Sequence, residues 1–243
     1  MAKRVVLVGF DGAEGLDLFG PAEVFTGAGR RLGAPAYDVI IASAGGGSIV
    51  LTSGASVATR GLASIRPQAG DTVLVVGGAD RALDEAASSK SLILWLVRAS
   101  RVVRRIGSVC DGAFVIARAG ILDGRRAATH WSSCDRLGRS YPRIKVDREA
   151  IFVHDGRFWR SAGVTTGIDM ALAMVEADRR RPRRAPIQRV PRGGRDRASR
   201  RRTRSPRRAH VRPGRVSAHR ARPRRTARGR DRKARGWRTA EAG

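Results

Sequence analysis

The chain has 243 residues, enough for one large domain or two small ones, and its formal charge of +28 is very unevenly placed. Residues 1–178 hold 22 Lys and Arg against 18 Asp and Glu, a net of +4, whereas residues 179–243 hold 27 against 3, a net of +24. The first segment is an ordinary globular composition with room for a sizeable core; the second lacks the apolar residues that would offset its ordering entropy.

Val5–Phe10 is a continuous apolar run ending at Asp11-Gly12. It reads as a buried parallel strand and is too short for a secretory signal. Pro21-Ala-Glu-Val-Phe reads as a helix start, with Pro in its tolerated first turn and Glu23 suited to the helix dipole there. Tyr37–Ala44 is a second strand, closed by the glycines at 45–47. Ile49–Leu51 and Ser56–Thr59 read as a short antiparallel excursion. Thr72–Val76 is a third core strand and ends at Gly77-Gly78. Ser91–Val103 has helical spacing. Arg105–Val109 is a fourth strand that runs into Cys110-Asp111-Gly112, and Ala113–Ala119 follows as a helix. Ala127–Thr129 and Ile151–Val153 read as further strands, and Thr166–Glu176 as a last helix.

Strands alternating with helices predict an α/β fold, a flavodoxin-like parallel sheet sandwiched by helices. Ligands in such sheets bind beyond the carboxyl ends of the strands, where Asp11, Gly77-Gly78 and Cys110 all fall. No stretch approaches the ~18 apolar residues of a membrane span. Cys110 and Cys134 have no disulfide framework around them, which suggests a reducing compartment and a cytoplasmic protein.

Residues 179–243 differ in kind. Arg supplies 26 of these 65 positions and Lys one. The segment is expected to be a disordered, basic, low-complexity tail. Three readings stay open for it: a polycation that binds nucleic acid through phosphates, a solvated run without a partner, or an out-of-frame translation of GC-rich DNA. The Arg/Pro/Gly/Ala/Ser bias with almost no Lys favours the last.

The strongest local signal is Ile106-Gly-Ser-Val-Cys110-Asp-Gly-Ala113, a strand turning abruptly into a helix with small residues around a cysteine. That is the pattern of a nucleophile elbow with Cys in place of Ser. A helix N-terminus favours a thiolate. A small cysteine buried at a strand end gives the same spacing. A backbone N–H at Gly77-Gly78, with that of Asp111, would make an oxyanion hole facing Cys110; an ordinary βα turn would look alike.

Three segments resemble the ThiJ/PfpI superfamily, which has the class I glutamine-amidotransferase-like fold. They are Gly9–Phe25, the elbow Ser108–Ala113, and Ala119–Trp131. With Tyr141-Pro142, Ile151–Gly156 and Ser161–Glu176, the resemblance extends to the GlxA-type branch, which holds isonitrile hydratases and the sensor domains of AraC-type regulators. It covers nearly all of residues 1–178. The resemblance implies that Asp17 faces the reactive cysteine, able to donate a hydrogen bond or shuttle a proton. It puts His130 where many members hold a histidine near the cysteine, as proton relay, orienting group or satisfied interior side chain. Cys134 has no motif around it and reads as packing. The residue after the cysteine departs from the pattern: similar hydratases have threonine there and protease-like members histidine, but this chain has Asp111.

The resemblance therefore implies a small-molecule-sensing domain of a GlxA/AraC-type regulator over residues 1–178. It would bind its ligand near Cys110 and form a homodimer, and residues 179–243 would replace the helix-turn-helix half. The alternative is a cysteine-dependent hydratase or hydrolase: Cys110 attacks, Asp17 and His130 move protons, and Gly78 with the Asp111 N–H stabilises the anion. Neither reading calls for a cofactor or a metal. Asp17 and Asp111 oppose a thiolate by like-charge repulsion unless Asp17 is protonated, and the helix N-terminus is expected to win.

Overall fold

The computed structural model describes residues 2–31 and 36–180. Residues 181–243, all of the basic segment but Arg179 and Arg180, lie outside the described residues, as do the expectations about that segment's order and partners.

The elements run β1 (Lys3–Val8), α1 (Gly15–Arg31), β2 (Tyr37–Ser43), β3 (Gly47–Val50), β4 (Ser56–Gly61), β5 (Thr72–Val75), α2 (Asp80–Ser88), α3 (Lys90–Val102), β6 (Arg105–Ser108) and α4 (Gly112–Arg118). They continue β7 (Arg126–Ala127), α5 (Cys134–Ser140), β8 (Lys145–Val146), β9 (Phe152–Asp155), β10 (Phe158–Ser161) and α6 (Val164–Arg180). Eight strands form one sheet in the order β3-β4-β2-β1-β5-β6-β10-β9. All neighbours are parallel except the pairs β3–β4 and β10–β9 at the two edges. The flavodoxin-like α/β expectation holds.

Strand alternation divides the core. Val6, Val8, Val73, Val75 and Ile106 point to the face covered by α2, α3 and α4. Val5, Leu7, Leu74 and Val76 point to the other, under α1 and α6 with Leu18, Phe25, Met170 and Met174. Burial of each such side chain contributes roughly 1.5–3 kcal/mol. Helix α3 forms as its spacing predicts: Leu92, Trp95, Leu96 and Ala99 are buried on one face. Its N-cap is Ser89, whose hydroxyl accepts from the Leu92 N–H.

Five elements differ from the sequence reading. Helix α1 begins at Gly15, not at Pro21, which lies inside it. The apolar face from Leu18 through Ala22 and Phe25 stabilises the longer helix despite the N–H that Pro21 lacks. Glu23 is consequently not in a first turn; it is exposed at mid-helix and pairs with Arg30 at 3.3 Å. The strand expected at Ala127–Thr129 is only the two-residue β7, paired with β8 outside the main sheet. Strand β10, buried at all four positions between β6 and β9, had no expectation, and neither did α2 or α5. No described helix is long and apolar enough to cross a membrane.

Candidate functional site

β1, β5 and β6 lie side by side, so the segments leaving their carboxyl ends converge. Cys110 leaves β6 with φ of 51°, the one non-glycine residue in the left-handed region among the described residues. Such a conformation costs about 1–3 kcal/mol and must be held by its surroundings. The Cys110 N–H donates to Ser161 O at 3.2 Å, and the Thr129 hydroxyl donates to Cys110 O at 3.2 Å. Behind it, the Val109 N–H donates to Val75 O at 2.9 Å. Gly112 lets α4 start directly against β5, since a Cβ there would lie 2.3 Å from Val75 O. The elbow geometry expected from the sequence is present.

Asp17 projects from the first turn of α1 and is fully buried. Its Oδ2 accepts the Gly77 N–H at 2.9 Å, and its Oδ1 has no hydrogen-bond partner among the described residues. A Cβ on Gly77 would lie 2.7 Å from Asp17 Oδ2, 3.0 Å from Cys110 Cβ and 3.0 Å from Asp111 N. Glycine at 77 is therefore what allows carboxyl, elbow and helix start to meet. Gly78, the residue proposed for the oxyanion hole, abuts the Phe10–Ala13 turn instead; a Cβ there would meet Gly12 O at 2.5 Å. The backbone bonds here join Glu14 N to Gly77 O and Ala79 N to Gly12 O, which leaves the Gly78 N–H without a backbone acceptor among the described residues.

Asp111 turns its carboxylate away from the sulfur. Oδ1 accepts from the Thr129 hydroxyl at 2.8 Å and Oδ2 from the Ser133 hydroxyl at 2.9 Å. It thereby ties the segment 129–133 to the elbow. His130 lies within that segment, half-buried, with Nδ1 2.7 Å from Ser132 Oγ; its neighbour Thr129, not His130 itself, bonds the elbow. Trp131 stands out into solvent beside it. Cys134 is buried with its sulfur 3.6 Å from His130 O, a packing position as expected. Among the described residues no three His, Cys, Asp or Glu side chains converge as a metal centre requires.

The electrostatics run against a thiolate. Burial pushes the Asp17 carboxyl up, Glu14 and Asp111 add to this, the Gly77 N–H pulls it back, and the balance lies at about 7. Burial also pushes the Cys110 thiol up, reinforced by Asp17 and Asp111; the Asp111 N–H works the other way without prevailing. Against the helix start, which the sequence reading expected to favour the thiolate, stand burial and the neighbouring carboxylates, and the shift they give is upward. A seven-residue helix has a weak dipole, whereas desolvation is the largest influence on the thiol and the Asp17 and Asp111 carboxylates add to it. The Cys134 thiol is likewise raised by burial.

Residues 3–177 match the DJ-1/PfpI family. The chain is 36% identical over 147 residues to the HTH-type transcriptional regulator CdhR of Pseudomonas aeruginosa, covering 60% of this chain and 42% of that protein. It is 34% identical over 143 residues to the HTH-type transcriptional regulator GlxA of Rhizobium meliloti, covering 59% and 43%. Isonitrile hydratase of Pseudomonas putida is 32% identical over 106 residues, 44% of each chain. The chain thus spans less than half the length of these curated relatives. Among solved structures, a putative transcriptional regulator from Vibrio parahaemolyticus superposes with a TM-score of 0.65 at 20% identity, covering 73% of this chain and 92% of that one.

Proposed function

Because the chain belongs to the DJ-1/PfpI family, we propose that residues 1–178 are the small-molecule-sensing half of a GlxA/AraC-type transcriptional regulator working in the cytoplasm as a homodimer. The observation that carries this reading is a buried cysteine packed, across Gly77, beside the buried Asp17 carboxyl, surroundings that favour the neutral thiol. A covalent catalyst needs a thiolate at working pH, and burial with two adjacent carboxylates opposes one at Cys110. A binding pocket has no such need. In it, the unpartnered Asp17 Oδ1 is the hydrogen-bonding group that a ligand meets, and Asp111 fixes the segment carrying His130 and Trp131.

The test is alkylation of the intact chain with iodoacetamide from pH 6 to 9, followed residue by residue by mass spectrometry, alongside assays for hydration of alkyl and aryl isonitriles to formamides. Slow modification of Cys110 throughout and no turnover are expected. Hydration that disappears in Cys110→Ala, with the fold retained, would overturn the sensor reading.

One observation favours that enzyme reading as the second choice. A carboxyl near 7 beside the sulfur is suited to moving a proton at neutral pH, and isonitrile hydratase is among the relatives. There Cys110 attacks, Asp17 and His130 transfer protons, and the Gly78 and Asp111 N–H groups hold the anion. Asp111 in place of threonine weighs against it. Residues 179–243 we read as out-of-frame. Translating the coding DNA in the other two frames after codon 178 should uncover helix-turn-helix apolar periodicity; its absence from both would leave the nucleic-acid-binding tail as the better reading.

A further inference from the structure

The opposite end of the sheet holds a cluster that the cysteine site does not use. β6 begins at Arg105 and reaches Cys110 five residues later, about 16 Å away at strand rise. There the β9–β10 turn, the start of β6 and the end of α6 enclose a cavity of about 440 Å³. Arg104, Arg105, Arg157, His154 and Trp159 line it, and no carboxylate does.

The acids next to the lining are already shared: Asp155, at the end of β9 between His154 and Gly156, lies 3.7 Å from Arg125, and Asp178 serves four partners. Asp178 takes Arg104 at 2.5 Å, Arg105 at 2.9 Å and Lys3 at 3.1 Å, and accepts from the Tyr37 hydroxyl at 2.8 Å. Among the described residues Arg157 donates to the backbone carbonyls of Ser100 and Val103, lies over the Phe158 ring, and has no carboxylate partner. Positive charge therefore exceeds negative at this half-buried place. Two lining side chains more than nine-tenths buried also keep donors without partners among the described residues: Nη1 of Arg105 and Nε1 of Trp159. Arg104 Nε is a third. The Arg105 guanidinium lies 5.3 Å from the centre of the Trp159 ring, and His154 stacks on that ring at 3.8 Å.

A cavity whose side chains supply donors and positive charge lacks an acceptor that carries negative charge. Water can satisfy a donor but not the charge. We propose that this cavity binds a small oxyanion, the phosphate or carboxylate group of a small molecule. Arg104, Arg105 and Arg157 supply the charge and Trp159 Nε1 a hydrogen bond. His154, exposed and stacked on the indole with its Nε2 2.7 Å from Gly156 O, lines the same cavity. The site is separate from Cys110 and stands whether the chain senses or catalyses.

The test needs a site-resolved readout, because the 27 Lys and Arg of residues 179–243 will attract anions as well. In ¹⁵N-labelled full-length chain, the Trp159 indole N–H is one of four indole signals and is identified by its loss in Trp159→Phe. Inorganic phosphate, acetate and chloride are then titrated at matched ionic strength. A saturable shift of the Trp159 signal with phosphate, with acetate or with both is expected, and which of them acts tells phosphate from carboxylate recognition. Arg157→Gln, which leaves the Asp178 cluster intact, should weaken that titration about tenfold. A Trp159 signal that moves no further with phosphate or acetate than with chloride overturns the proposal, as does an Arg157→Gln titration unchanged from the parent.

Discussion

The two ends of the sheet bury charge in opposite ways. At the carboxyl end, Asp17 is enclosed with one backbone N–H on one oxygen and nothing on the other. At the amino end, the Asp178 side chain is 2% exposed but is met by Tyr37, Arg104, Arg105 and Lys3. Burial pushes both carboxyls up. For Asp17 it prevails and the group takes up a proton near neutrality; for Asp178 the Tyr37 hydroxyl, Arg105 and Arg104 outweigh it and hold the carboxyl below the ordinary range. Desolvation is resolved by a proton in one place and by ion pairing in the other. Only the first leaves a group that can change state under a ligand's influence, which is what a sensing or catalytic site requires.

The sharpest way to break this comparison is to remove the anchoring acid. Asp178→Ala strands the buried Arg105 and its neighbours without a counter-charge and should destabilise the domain by about 3–5 kcal/mol in urea unfolding. A loss under 1 kcal/mol would mean that the cluster is solvated rather than paired.

Asp17→Asn should act with the opposite sign. A carboxyl whose folded pKa of about 7 stands above its ordinary 3.8 binds a proton between those values only when folded. Its contribution to stability is therefore full below about pH 4, falls as pH rises to about 7, and is constant above. The asparagine variant should match the parent near pH 4 and exceed it at pH 8 by up to roughly 4 kcal/mol, read from the pH dependence of the urea midpoint. Removing that negative charge should also speed iodoacetamide alkylation of Cys110 above pH 7. A parent whose stability does not fall between pH 4 and 7 would show that Asp17 is ionised in the folded state.

The smallest effect concerns the tie between the elbow and its neighbour. Asp111→Ala deprives the Thr129 and Ser133 hydroxyls of their carboxylate at a cost of about 1–2 kcal/mol. Amide exchange over 129–133 should accelerate about tenfold while the β5 and β6 amides are unaffected. Equal acceleration everywhere would mean that Asp111 supports the whole domain.

How much of this the sequence disclosed follows from the range of each interaction. Val5–Phe10, Thr72–Val76 and the elbow are local patterns of apolar runs and turn glycines, and they appear in the fold where they were read. β10 escaped because Phe-Trp-Arg-Ser places an arginine mid-strand, and nothing local says that Arg160 is buried completely. Pro21 misplaced the start of α1 because a proline signal is read locally, whereas the face that holds the helix together faces a sheet built from distant residues. The separate parts of Gly77 and Gly78 were not legible either, because adjacent glycines are alike until one knows that Gly77 packs against Cys110 and gives its N–H to Asp17. The Asp178 cluster draws on residues 3, 37, 104 and 105, a spread that no spacing rule connects.

The position of β10 bears on how the domain is made. β6, which leads into the cysteine, pairs with β5 on one side and on the other with a strand that the chain supplies about fifty residues later. During synthesis β6 therefore stands as an open sheet edge until Ser161 has left the ribosome, and Cys110 has no Ser161 carbonyl to bond until then. Nascent chains arrested before that point should carry an accessible Cys110 and a tendency to associate through the β6 edge, and release of α6 should end both.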